Sequence, residues 1–243
     1  YFWCMCKRLL NATDGLNIKH DETVCTIHGI FALNNQTEDI FCGLKQGQKK
    51  IFKRNQKEYN RLAEHIGLLP VVMVAPIDQE LITGGSEERR RFMDSIICQY
   101  DKIYLEDLSA YQKILQHRNA LLKQLSRENK MDETALQIWD EQLVSYAIKI
   151  HATRNRFVDD FTPLFSKFYQ KISGDAEQVS LVYDSHLHEG NFIQQLQRTF
   201  TRDRLLQYTT IGVHKDDLTL LIDTHPAKRF GSQGQQKSVV FRL

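Results

Sequence analysis

Along the first third of the chain apolar side chains alternate with polar ones, and from about residue 86 they return every three or four positions. Period two marks a strand with one buried face, and a period near 3.6 marks an amphipathic helix. The pattern therefore predicts three strands, at 24–33, 40–45 and 50–55, with turns at Asn34-Asn35 and Gln46-Gly47, arranged most simply as an antiparallel meander. Before them, 1–10 is apolar with a basic end and 11–21 is polar and loose. After them, a short helix at 62–66 is stopped by Gly67, and 71–75 reads as a buried strand ended by Pro76.

The second pattern opens at Ser86, which reads as a helix cap with Glu87 and Glu88 in the favourable first turn. Phe92, Ile96, Tyr100, Tyr104, Leu108, Tyr111, Leu115, Leu122 and Leu125 predict a long helix with a break near 100–102. A polar connection at 126–131 leads to Asp132, the expected cap of a second long helix carrying Leu136, Trp139, Leu143, Tyr146, Ile150, Phe157, Phe161, Phe165, Phe168 and Ile172. Pro163 should kink or interrupt it near Phe161, and Gly174 should end it. The two helices predict an antiparallel hairpin whose aromatic stripes are core. Further on, the sequence predicts a strand at 179–183, a helix at 189–203, and strands at 208–213 and 218–223 flanking a His-Lys-Asp-Asp turn.

A last helix should begin at about Ser232, because Ser232 followed by Gln235 makes a capping box ahead of the apolar Val239, Val240, Phe241 and Leu243. Its N-terminus would offer unpaired N–H groups and the positive end of the dipole, and Gly234 has no side chain to keep an anion away. Such a stretch is either a phosphate-facing device or a glycine-containing loop with an ordinary cap.

Composition changes this picture little. With 32 basic and 30 acidic residues the net charge is +2, so any polyanion site must come from local clustering. One cluster exists: Lys45, Lys49, Lys50, Lys53, Arg54, Lys57 and Arg61 share their stretch with a single acid, Glu58. On a hairpin these residues either neutralise nucleic-acid phosphates or protect a solvated sheet edge. Arg89, Arg90 and Arg91 form a second group, able to pair with nearby acids, brace a lobe junction or touch DNA; the structural role is preferred. Five cysteines without a Cys-x-x-Cys pair argue against a disulfide framework and a zinc site, and make a reducing cytoplasm the natural compartment. No apolar run reaches the roughly 18 residues of a membrane span. Asp184, His186, His188 and Glu189 fit a polar strand face better than a metal site, so no metal is expected in this chain. His214 and Asp216, taken by themselves, suggest acid/base work. No Gly-x-x-x-x-Gly-Lys-Ser/Thr loop is present and no initiator Met begins the chain, which leads us to expect a fragment. Leu220-Leu221-Ile222-Asp223 imitates a Walker B strand, but Thr224 stands where a catalytic Glu belongs.

Four ordered stretches carry a resemblance. Ser232-Gln233-Gly234-Gln235-Gln236 resembles the signature of ABC-type ATPases in the form typical of the RecF family. Residues 212–218 resemble that family's Gly-Pro-His-Arg-Asp-Asp-Leu box, 84–94 its Gly-x-Pro-x-x-Arg-Arg-x-Phe-Leu-Asp box, and 116–123 its Gln-Arg-Asn-x-x-Leu-Lys box. Val213 and Ser86 depart from the family's prolines, so those turns can differ locally.

The resemblance implies a partial α/β (α+β) ABC-type ATPase head, from 1–80 and 205–243, with a separate helical lobe at 81–204 containing the long-helix hairpin. It implies a P-loop before Tyr1 and Walker B acids beyond Leu243, so that the intact protein would use ATP and Mg2+ while this chain alone binds neither and is inactive. Ser232, Gln233, Gly234 and Gln235 would meet ATP held by the other subunit of an ATP-dependent homodimer. Asp78 and Gln79 fall where such ATPases carry the Q-loop, or form an ordinary loop. His214, Lys215, Asp216 and Asp217 would support the signature. Lys49, Lys50, Lys53, Arg54, Lys57, Arg61, Arg89, Arg90 and Arg91 are the candidates for DNA. The implied role is cytoplasmic DNA repair, recombination and replication at single-strand/double-strand junctions, with a RecR-type mediator as partner. Its rivals are another SMC-like ABC ATPase head serving a different DNA process and a non-enzymatic helical scaffold.

Overall fold

In the computed structural model, which describes residues 2–6, 14–132, 134–173 and 177–240, the chain divides into two compact units, Tyr1–Met73 and Val74–Leu243. Expectations placed on Tyr1, 7–13, Gly174, Phe241 and Leu243 lie outside the described residues.

The first unit opens with a short helix, α1 (Phe2–Met5), and is built on an antiparallel sheet of β1 (Val24–Leu33), β2 (Gln36–Lys45), β3 (Ile51–Arg54) and β4 (Lys57–Glu58), in that order. Turn chemistry sets its register. Asn34 and Asn35 both take positive φ, as do Asn55 and Gln56, which gives two-residue hairpins whose twist matches the strands. β1 and β2 consequently pair over ten positions, from Val24 opposite Lys45 to Leu33 opposite Gln36. One face of the sheet buries Ile40, Cys42, Leu44 and Phe52, with Ile27, Phe31, Tyr59 and Leu62 packed against them. His65 is enclosed there, bonded through Nδ1 to the Tyr59 hydroxyl at 2.9 Å. β2 starts four residues earlier than its apolar pattern suggests because the Asn turn carries polar Gln36 and Thr37 into the ladder. β4 escapes the pattern altogether, being two charged residues long. A single turn of 3-10 helix, Leu62–Glu64, stands where the short helix was expected.

The expected buried strand at 71–75 is a correction: it joins no ladder, and Val72 is 95% exposed. Its apolar, β-branched composition suits a strand, but no strand among the described residues offers it N–H and C=O groups.

In the second unit a turn at Pro76–Gln79 leads to α2 (Glu80–Thr83), α3 (Ser86–Tyr100), α4 (Lys102–Arg127) and α5 (Gln137–Ser173). Ser86 is the first helical residue and not the cap, a place taken by Gly85. The break falls at Asp101, whose carboxylate accepts the Tyr104 N–H at 2.9 Å and so starts α4 afresh. α4 and α5 run antiparallel: the rings of His117 and Trp139 stack at 4.9 Å, and Asp107 lies 3.7 Å from Lys149. Asp132 caps the turn ahead of α5 by accepting from Ala135 N. α5 runs on through Pro163. That proline is exposed, so the carbonyl it leaves without a partner can meet water, while Phe157 and Phe165 keep the inner side packed.

Beyond α5, β5 (Val179–Asp184), β6 (Asp217–Ile222) and β7 (His225–Pro226) form a second antiparallel sheet, with α6 (Phe192–Leu206) between the first two strands. The expected strand at 208–213 is absent. Side chains replace a ladder there: Asn119 Oδ1 accepts from Thr209 N at 2.8 Å, and Asp203 Oδ1 accepts from Thr210 N at 2.9 Å. A short helix α7 (Ala227–Phe230) and the final helix α8 (Gln233–Val240) complete the unit. Among the described residues no helix is long and apolar enough to cross a membrane.

Candidate signature loop and its supports

The loop between α7 and α8 is tight. A Cβ on Gly231 would stand 2.7 Å from the Ala227 carbonyl, so only glycine fits where α7 ends. Both halves of the capping box form: Ser232 N donates to Gln235 Oε1 at 2.6 Å, and Gln235 N donates to Ser232 Oγ at 3.2 Å. Gln236 N then reaches the Ser232 carbonyl at 2.9 Å, and the Gln236 amide donates to the carbonyls of Ala227 and Gly231, each at 3.1 Å. Helix geometry leaves the N–H groups of Gln233 and Gly234 without intrahelical acceptors, at the positive end of the dipole.

Ser232, Gln233 and Gly234 are exposed. Around Gly234 the chain leaves open space, since a Cβ there would meet only Ser232 Oγ, at 3.9 Å. Packing within the chain does not require glycine at this position, in contrast to Gly231.

Gln235 is anchored from behind. Its Nε2 donates to Glu177 Oε1 at 2.5 Å, and the other oxygen of Glu177 accepts from the Tyr169 hydroxyl at 2.6 Å. Tyr169, Ser173, Glu177, Gln235 and Ser238 line a pocket of about 190 Å³. Sequence reasoning missed Tyr169 and Glu177. Tyr169 follows Phe165 by four on the buried face of α5 and reads as core, and nothing in sequence marks Glu177 as its partner.

The Q-loop candidates lie beside this helix, as the Pro76–Gln79 turn packs on α8. Asp78 is turned back on its own turn, accepting from Ala75 N at 2.6 Å, and the Gln79 carbonyl accepts from Thr83.

Residues 212–217 anchor elsewhere. Gly212 has φ of 124°, and a Cβ would press on the Tyr111 hydroxyl at 2.7 Å. His214 is bonded at both nitrogens, Nδ1 to the Tyr111 hydroxyl at 2.7 Å and Nε2 to the Thr209 carbonyl at 3.0 Å. A carbonyl only accepts, so Nε2 carries the proton and Nδ1 accepts from tyrosine. Burial pushes this imidazole's pKa down to about 4. Lys215 stands 5.1 Å over the Tyr208 ring. Asp216 is buried and accepts from Arg154 at 2.8 Å and from the Tyr183 hydroxyl. Burial raises its pKa, against the pull of Arg154. For Asp217 burial also acts upward, but the fork of Arg89, at 2.7 and 3.0 Å, outweighs it and holds the carboxyl low.

All three consecutive arginines are engaged inside the chain. Besides Asp217, Arg89 donates to the carbonyls of Leu81 and Gly84, each at 3.1 Å. Arg90 donates to the Asp216 carbonyl at 2.5 Å, and Arg91 pairs with Glu87 and Glu88. Two further buried arginines, Arg118 and Arg154, tie the helices together. Arg118 meets Asp140 at 2.6 Å and Asp203 at 2.8 Å; Arg154 meets Asp94 at 3.0 Å and the Val213 carbonyl at 2.7 Å. Arg154 had a sequence signal, because it interrupts the apolar stripe between Ile150 and Phe157.

His188 packs edge-on against His151 at 4.8 Å and Tyr183 at 5.5 Å, and His186 Nδ1 accepts from Gly212 N at 3.5 Å. Among the described residues no three His, Cys, Asp or Glu side chains are grouped to hold a metal.

In the first unit the basic cluster separates into two groups. Arg54 forks onto Glu38, a buried acid, with Nε at 2.7 Å, and Lys50 reaches the Cys6 carbonyl at 2.5 Å. Lys49, Lys57 and Arg61 are exposed, and Lys53 lies 5.9 Å over the Phe41 ring.

No family model matches the chain. It is 47% identical over 227 residues to the DNA replication and repair protein RecF of Flavobacterium johnsoniae, covering 93% of this chain and 63% of that protein. To the RecF of Phocaeicola vulgatus it is 45% identical over 244 residues, covering 100% of this chain and 65% of the relative. The solved recombination mediator protein RecF with ATP, of the RecFOR pathway, superposes with a TM-score of 0.92 at 27% identity, covering 99% of this chain and 66% of that one. The chain thus spans a little under two thirds of the length of the curated relatives it matches.

Proposed function

Because this chain belongs to the RecF family and has the RecF ABC-type ATPase fold, we propose that its signature loop closes a DNA replication and repair protein over ATP. In this reading 1–80 and 205–243 are parts of the head and 81–204 is the helical lobe. ATP and Mg2+ are held by elements outside these 243 residues, and the chain alone neither binds nor hydrolyses the nucleotide.

The observation that carries the proposal is the open face at Gly234, where a Cβ would meet only Ser232 Oγ at 3.9 Å, at a helix start whose first N–H groups have no intrahelical acceptors. A γ-phosphate on a second subunit supplies the missing acceptor, with Ser232 Oγ as a further contact. Ser232 Oγ accepts from Gln235 N, so its hydroxyl proton can be donated to the phosphate with the cap still closed. DNA at single-strand/double-strand junctions lies along the exposed members of the basic hairpin, and a RecR-type mediator completes the assembly.

Sedimentation of the intact protein with and without ATP and Mg2+ tests the core of this reading. A dimer formed only with nucleotide is expected. A protein that stays monomeric at saturating ATP overturns it.

A further inference from the structure

We infer that Glu177 is a positioning residue for the signature loop, a carboxylate bridge that holds the Gln235 half of the capping box in place while Ser232 engages phosphate. The inference rests on the function proposed above. Gln235 Nε2 donates to Glu177 Oε1 at 2.5 Å, and Gln235 Oε1 accepts from Ser232 N at 2.6 Å, so one amide group spans from the carboxylate to the loop backbone. On the far side Tyr169 donates to Glu177 Oε2 at 2.6 Å. Burial and the Glu177 carboxylate both push the Tyr169 phenol's pKa upward, so it remains the donor.

Packing alone does not fix this arrangement. The bridge borders a pocket of about 190 Å³, and Ser173 Oγ, on its wall, is buried without a hydrogen-bond partner among the described residues. Side chains beside open space can rotate, so hydrogen bonds and not wedging set the Gln235 rotamer. The bridge matters most when nucleotide arrives. Ser232 Oγ then donates its proton to the phosphate while it accepts from Gln235 N, so the loop is pulled from outside the chain. The other half of the capping box, Ser232 N on Gln235 Oε1, keeps the loop backbone aimed only if Gln235 is itself held, and Glu177 is what holds it.

The test uses intact protein in four forms: Glu177→Ala, Glu177→Gln, Gln235→Ala and the Ala/Ala double variant. Two quantities are measured, the ATP concentration that half-saturates dimerisation and the hydrogen-exchange rate of the Ser232 amide without nucleotide. Loss of a capping contact corresponds to about a fivefold to tenfold change. Glu177→Ala should therefore raise the half-saturating ATP concentration and the Ser232 exchange rate by about that factor. Glu177→Gln, which can still accept from Gln235 and meet Tyr169, should stay within about twofold. The double variant should be no worse than Gln235→Ala, because both remove one bridge. Wild-type values in Glu177→Ala, additive losses in the double variant, or a Glu177→Gln as damaged as Glu177→Ala would each overturn the inference. Should the unaltered protein fail to dimerise with ATP, the proposed function fails and the positioning role falls with it, whereas Ser232 exchange still reports whether the bridge exists.

Discussion

Arg154 of α5 and Asp216 of the turn before β6 meet at 2.8 Å with side chains 2% and 0% exposed. Arg154 also grips Asp94 of α3 and the Val213 carbonyl, so one guanidinium joins three parts of the second unit. A buried pair of this kind adds little net stability over an apolar substitute, but removing one partner strands the other in a medium that penalises charge. Asp216→Ala should destabilise the protein by about 3–5 kcal/mol in urea unfolding. A loss under about 1 kcal/mol would show that water reaches Arg154 and that the pair is not sealed.

His214 predicts a pH dependence of definite sign. Folded, its pKa is about 4; unfolded, it returns to about 6.5. Between those values the unfolded chain binds the extra proton, so stability rises with pH across the window and is lost as pH falls from 6.5 to 4. The full effect is about 3 kcal/mol. His214→Gln should flatten this part of the stability profile while leaving acid losses from carboxylates in place. An unchanged slope between pH 4 and 6.5 would refute the assignment.

Gly234→Ala separates folding from function. Alanine is the better helix former by up to about 1 kcal/mol, and the chain leaves room for its methyl group. Thermal stability should hold or rise slightly, while ATP-driven dimerisation of the intact protein weakens at least about tenfold because the methyl stands before the N–H groups. Unchanged dimerisation would remove the argument from Gly234.

The basic hairpin predicts two different mutant classes. Lys49, Lys57 and Arg61 are exposed, and their joint replacement by Glu should weaken DNA binding and flatten its logarithmic salt dependence by roughly two to three units. Arg54→Gln should instead destabilise the fold at neutral pH, through the buried Glu38 it leaves, with little change in salt slope. If the triple variant binds DNA as before with its fold intact, the hairpin is a solvated edge.

Much of this architecture was legible because periodicity and turn chemistry agree. The Asn34-Asn35 turn, the break at Asp101 and the Ser232 capping box all follow from local rules, and each is present. Local rules failed where a segment has strand composition but joins no ladder, and where its partners are remote in sequence. Residues 71–75 have strand composition and no strand beside them among the described residues, and 208–213 has backbone N–H groups satisfied by Asn119 and Asp203 instead of a ladder. The candidate site was half legible for the same reason. Ser232, Gly234 and Gln235 announce themselves within four residues, whereas the bridge from Gln235 to Tyr169 joins positions whose spacing carries no signal.

The fork of Arg89 on Asp217 joins residues 128 positions apart in sequence. At a synthesis rate of about 5–20 residues per second, α3 leaves the ribosome roughly 6–25 s before its carboxylate partner exists. The α4–α5 hairpin faces no such delay, since Arg118 and Asp140 are only 22 positions apart. A nascent chain would thus form the hairpin first, with Arg89 of α3 lacking its carboxylate partner until β6 emerges. A helix near the start of the unit is fastened by residues made much later.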